Sequence, residues 1–271
     1  MPFPQRAAGP SPVAGSGYRG EVTEPAAQRR ALRLEIALVL AVTYGLSAAT
    51  AILQLADAVL RDLSAQRIPL NPRRSYFDLI DLGLNVAWAA QLIAWGALAL
   101  YLLWRSGYGP ARIGLDRSPR RSDLAGGLGL AALIGLPGLG LYLLARTLGL
   151  NADVIPAAIN DTWWRAPMLI VIAFANAFAE EVIVVGYLLT RLRQLRVSPW
   201  VAVACSALLR GAYHLYQGFG AGLGNVAMGL VFGYTWQRTG RLWPLILAHG
   251  LIDTVAFVGY TLFADQLSWL R

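Results

Sequence analysis

A chain of 271 residues that is 56% apolar and only 14% charged, with mean hydropathy +0.50, is not an ordinary soluble domain, where charged residues make up about a quarter. The net charge of +8 comes from 23 basic residues, all arginine, lying between apolar runs rather than on one basic face; that excludes nucleic acid as a partner and leaves membrane topology as their role. The single cysteine, Cys205, excludes an intramolecular disulfide.

Residues 1–30 are rich in Pro, Gly, Ala and Arg and have no apolar core, which predicts a disordered cytoplasmic tail rather than a cleaved signal peptide. Four apolar runs follow, Ile36–Ala56, Leu82–Trp104, Leu124–Ala145 and Leu242–Ala264, the first three uncharged and each over 20 residues, enough for a helix to cross a ~30 Å hydrocarbon layer. Three more spans are expected at about Ala166–Thr190, Ser198–Gln217 and Ala221–Gln237. The fold class is therefore all-α, a polytopic transmembrane bundle of about seven spans. Residues 31–165 hold the N-terminal spans and loops, 166–264 a polar-bearing core, and 265–271 a C-terminal tail.

Arginine placement puts the N-terminus in the cytoplasm. Arg6, Arg19, Arg29, Arg30 and Arg33 of the tail share a side with Arg105, Arg112, Arg117, Arg120 and Arg121, with Arg191, Arg193 and Arg196, and with Arg238 and Arg241. Arg146, Arg165 and Arg271 fall on the other side. The loop with Arg61, Arg67, Arg73 and Arg74 breaks the rule. The spacing of Leu55, Val59, Leu60 and Leu63 predicts an amphipathic helix lying along the interface there.

The fourth span carries AFAEEVIVVGYLL, with Glu180 and Glu181 adjacent in apolar sequence, where each ionised carboxylate costs at least ~2.5 kcal/mol. Both histidines also lie in spans. His214 follows Arg210 by one turn in LLRGAYHLYQG, and His249 precedes Asp253 by one turn in LILAHGLIDTV. Asn176 and Glu180 have the same spacing, while Glu181 is rotated ~100° from Glu180, so the two carboxylates take different roles. Two Glu, two His, one Asp and one Arg within about seventy apolar residues predict a functional polar site. Asn225 is a further candidate for lining it. Cys205 lies half a turn from His214 and is expected to pack elsewhere, and Gly220, Gly222, Gly224, Gly229 and Gly233 predict close helix packing.

Two chemistries fit this inventory. Glu180, His214, His249 and Asp253 match a zinc site. The same residues also suit a metal-free route in which Glu180 and His214 activate water and His249 with Asp253 arrange oxyanion stabilisation. There is no His-Glu-x-x-His helix and no nucleophile elbow. One geometric tension stands: Glu180 is eleven residues from Arg191, ~15 Å from the cytoplasmic edge, whereas His214 is sixteen from Ser198, ~24 Å.

The segments EEVIVVGYL, SALLRGAYHL, GNVAMGLVFG and TGRLWPLILAHGLID resemble the CAAX protease and bacteriocin-processing family, intramembrane endopeptidases related to the Ras-converting CAAX endopeptidase. The likeness covers about Phe174 to Val255. It implies an activating glutamate at Glu180 beside Glu181, a histidine at His214, and a last motif at His249 and Asp253. Two positions depart: the family's arginine is Val185 here, and its phenylalanine is Arg210, which predicts that Arg210 holds Glu181 from the neighbouring helix. The resemblance implies cleavage of a membrane-presented peptide or protein, in a bacterial plasma membrane, with zinc or without it. Oligomeric state stays open. The alternatives are a silent scaffold or bacteriocin-immunity protein and a proton or metal transporter; the transporter would favour duplicated halves, which the sequence lacks.

Overall fold

The helix that carries the two glutamates cannot leave them facing lipid, so it must be covered by others. The computed structural model describes residues 26–157 and 162–263. Within them lie α1 (Ala26–Leu60), α2 (Asp78–Arg105), α3 (Arg121–Thr147), α4 (Arg165–Gln194), α5 (Pro199–His214), α6 (Phe219–Thr239) and α7 (Trp243–Phe263). The first four are each long and apolar enough to cross a membrane. In α4, 72% of the most apolar 18-residue window is buried, against 6% in α3. The central position belongs to α4: α1, α2, α5, α6 and α7 contact it, while α3 packs outside, on α6 and α7. The expected tails, with Arg6, Arg19 and Arg271, lie outside the described residues, except that α1 already begins at Ala26.

Local chemistry fixes the element ends. Ser198 caps α5 by accepting from the Val201 amide, with Pro199 in the first turn, where its missing N–H is harmless. Gly240, at φ 64°, closes α6 in the left-handed conformation. Two helices contain π-helical turns. In α1 the turn spans Ala41–Gly45, with Thr43 off helical geometry at φ −120°, ψ −105°, and it buries Tyr44. In α4 it spans Glu181–Tyr187, directly after the first glutamate; such turns re-aim side chains and concentrate at functional sites.

Contacts at the helix ends sort the arginines. Arg191 of α4 is buried and pairs with Glu35 of α1 at 2.7 Å, while also reaching Ser106 and the Leu102 carbonyl at the end of α2. Arg241, before α7, pairs with Asp116 and Asp123 at the start of α3, both at 2.5 Å, and holds the Asp116 carboxyl below the usual carboxylate range. The described members of all four arginine groups thus stand at one end of the bundle. At the other end, Arg67, Arg73 and Arg61 each pair with an aspartate, Asp153, Asp78 and Asp57, so the loop that breaks the arginine rule is largely neutralised.

The interfacial helix expected there is corrected. Leu55, Val59 and Leu60 belong to α1 itself, and Leu55 is buried with Ala58, Leu63 and Ala152. After Leu63–Ala65, the chain forms strand β1 (Arg67–Pro69), paired in parallel with β2 (Asp153–Ile155). The all-α expectation therefore gains one small two-stranded sheet outside the bundle.

Small residues set the helix spacing. A Cβ on Gly229 would stand 2.7 Å from Ala207 Cα, and one on Gly220 would stand 2.4 Å from Ala145 Cβ, so the glycine series packs helices as expected. Gly129, by contrast, faces open space. Gly229→Ala should therefore lower the thermal midpoint in detergent, by the ~1–3 kcal/mol typical of overpacking, whereas Gly129→Ala should not lower it. Equal midpoints for the two variants would show that α5 and α6 are not held at the described distance.

Candidate active site

Three helices bring ionisable groups to one buried point. Glu180 and Glu181 come from α4, Arg210 and His214 from α5, and His249 and Asp253 from α7. Glu181, Arg210, Glu180 and His249 are 0%, 0%, 3% and 4% exposed, while His214 and Asp253 are only partly buried, so the network is closed on the α4 side and open beside these two. Glu180 lies near the midpoint of the 30-residue α4, about 22 Å along the helix from either end.

The two glutamates are held differently, as their 100° rotation requires. Glu181 Oε1 accepts from the Arg210 guanidinium at 2.6 Å and from His249 Nδ1 at 2.8 Å. Glu180 Oε2 accepts from the Tyr213 hydroxyl at 2.6 Å and faces Arg210 at 3.6 Å. Arg210 thus holds Glu181 from the adjacent helix, the geometry expected from the exchange at Val185, which is itself fully buried among apolar residues. The guanidinium lies over the Phe232 ring, at 5.6 Å, with Met228 Sδ 3.8 Å away.

Hydrogen-bond partners fix the imidazole roles. His214 Nδ1 meets the Arg210 carbonyl at 2.9 Å; a carbonyl only accepts, so Nδ1 carries a proton, and in the neutral ring Nε2 is then the acceptor. His249 has a carboxylate at each nitrogen, Glu181 at Nδ1 and Asp253 at 3.5 Å from Nε2. Asn176 donates to Asp253 at 3.2 Å rather than serving Glu180, its neighbour by spacing.

Every site residue expected from the sequence joins this network except one. The Asn225 amide donates to Ala221 within its own helix and makes no described bond to the cluster. Cys205 is exposed, away from the site. The depth mismatch narrows: the helix holding Arg191 continues to Gln194, so Glu180 lies about 21 Å along it from that end, against about 24 Å for His214 from Ser198.

Two tyrosines were missed by sequence reasoning. Tyr213 donates to Glu180, and its ring stacks on Tyr44 at 4.8 Å and against His214 at 4.7 Å. The signal for Tyr213 was its place beside His214; for Tyr44 there was none, because α1 lies far away in sequence.

The residues do not assemble a metal centre as they stand. Among the described residues no three of His, Cys, Asp and Glu converge to hold an ion, and the cation that the two glutamates share is the Arg210 guanidinium. The expected zinc set of Glu180, His214, His249 and Asp253 therefore does not fit this arrangement.

Residues 162–255 match the family model described as Rce1-like, type II CAAX prenyl endopeptidase Rce1-like. This shows, over the segment that holds the whole site, the resemblance to the CAAX protease family that the motifs carry. No curated protein and no solved structure matches the chain.

Arg210 compensates buried carboxylates, so Arg210→Met should destabilise the protein by ~3–5 kcal/mol, and adding Glu181→Gln should restore a good part of that. Thermal unfolding in one detergent checks both. A single variant that melts with the wild type would mean the pair carries no structural weight.

Proposed function

We propose that this protein is an intramembrane endopeptidase that uses Glu180 to activate water, without a resident metal. The reading places all seven helices in the plasma membrane of a bacterium, with the arginine-rich end in the cytoplasm. Its substrate is a peptide bond presented at or within the bilayer. The observation that carries it is the buried Glu180 carboxylate held between Tyr213 and Arg210, inside the segment matched by an endopeptidase family.

Each residue then has a task. His214 Nε2 accepts one hydrogen of the water, and Glu180 takes the other as the oxygen attacks the scissile carbonyl. Tyr213 holds Glu180 in one rotamer by its hydrogen bond. Asn176, which keeps an N–H beyond its bond to Asp253, donates to the developing oxyanion, and Asp253, set between Asn176 and His249, orients that amide. As the C–N bond breaks, Glu180 returns its proton to the leaving amine. Glu181, held by Arg210 and His249, positions the helices and keeps the guanidinium beside Glu180. Buried Glu181 Oε2 and Arg210 Nε have no described partner; such atoms suit bridging water, which supports a hydrated site.

A scaffold reading draws on the same Glu181–Arg210–His249 network, since a fully engaged ion cluster also serves as an interhelical fastener. The two readings separate on Glu180→Gln. It keeps the shape of the side chain and should lower the yield of new peptide termini at least ~100-fold, with wild-type folding. Comparing the membrane peptidomes of cells expressing either form provides the measurement; identical product sets would leave the scaffold reading standing.

A further inference from the structure

The arginine-rich end contains a second built feature, about 190 Å³ in volume and separate from the ion cluster. It lies between the end of α4 (Thr190, Arg193, Gln194), the end of α6 (Trp236, Gln237) and the turn at Pro110–Ile113 that presents Arg112. The floor is buried and satisfied: Thr190 donates to the Gly186 carbonyl at 2.6 Å, and the Trp236 indole donates to the Ile113 carbonyl at 3.1 Å. The rim is cationic. Arg193 lies over the Trp236 ring at 5.2 Å and Arg112 over Tyr108 at 5.4 Å, so each guanidinium is oriented by an aromatic face that leaves its N–H edge available.

These two arginines, set on the pocket rim, carry no compensating carboxylate among the described residues. Arg191 and Arg241, close by, each hold carboxylates at 2.7 Å or less. Among the described residues, no carboxylate comes within ion-pair distance of Arg112 or Arg193, and Arg112 spends one N–H on the Gly107 carbonyl. Gln194 accepts from Arg191 through its oxygen, which leaves its amide N–H₂ as a further donor. Two forked cations and an amide donor around a concave site match a tetrahedral oxyanion, for which arginine geometry is well suited. The pocket also stands at the helix ends, where tryptophan and tyrosine sit at headgroup level.

We infer that this pocket binds a phosphate group, with Arg112 and Arg193 as its principal ligands. The inference does not rest on peptidase activity. The test uses the full chain purified in a sugar detergent and titrated separately with short-chain phosphatidylglycerol and with inorganic phosphate, read by native mass spectrometry and by thermal shift. Wild type and the Arg117→Gln control should bind. Arg112→Gln and Arg193→Gln should each bind about tenfold more weakly, the scale of one charge-assisted hydrogen bond, and the double variant more weakly still. Binding of the lipid alone assigns the phosphate to a headgroup; comparable binding of inorganic phosphate assigns it to a soluble ester. Equal binding by wild type and both single variants, or no binding of either ligand by the wild type, overturns the inference.

Discussion

One cation serving two adjacent carboxylates in the middle of a buried helix is the constraint from which the arrangement follows. An uncompensated charge there costs several kcal/mol, so α4 cannot dock in apolar surroundings until Arg210 arrives on α5. The guanidinium sits 2.6 Å from Glu181 and 3.6 Å from Glu180, and this asymmetry separates their roles: one carboxylate is consumed as an anchor, the other is held at one oxygen by Tyr213. His249 completes the anchor from α7. Three helices are thereby registered through one buried cluster, and hydrophobic packing, which has little directional content within lipid, need not supply that register.

The two π-helical turns put backbone geometry behind the same arrangement. The turn in α1 brings Tyr44 inward, where its ring meets Tyr213, and Gly45 is required because a Cβ would stand 2.8 Å from the Leu40 carbonyl oxygen. The turn in α4 follows Glu180 and ends at Tyr187, whose hydroxyl donates to Glu35 of α1. So α1 braces α4 at two levels, through a ring stacked on the tyrosine that holds Glu180 and through a polar bond beyond the turn. A first helix that reads in the sequence as a plain span is part of the support of the site.

The sequence was most legible where a physical rule acts within one segment. Apolar length located the long helices, and the expense of charge in lipid marked Glu180, Glu181, Arg210, His214, His249 and Asp253 before any coordinates. It was least legible where the rule acts between segments. Arg191 reads as a membrane-edge arginine, but its acceptors, Glu35, Ser106 and the Leu102 carbonyl, lie on two other helices. Asn225 reads as a cavity residue, yet its amide bonds within its own turn, an option open to any helical asparagine. Tyrosine carries no comparable signal, since its ring is equally at home in a core or at an interface.

The displaced cation has a structural consequence. In the family pattern to which the motifs point, an arginine follows the glutamates on their own helix, so its position depends on that helix alone. Here the position is the apolar Val185, and the charge comes from α5, whose distance from α6 is set by glycine contacts. Gly229 is among these: a Cβ there would meet Ala207 Cα at 2.7 Å, so the missing side chain makes room for the helix approach that carries Arg210. Phe232 and Met228 of α6 close over the guanidinium. The electrostatics of Glu180 are therefore coupled to the packing of two neighbouring helices, and whatever shifts α5 against α6 also shifts the charge that Glu180 faces.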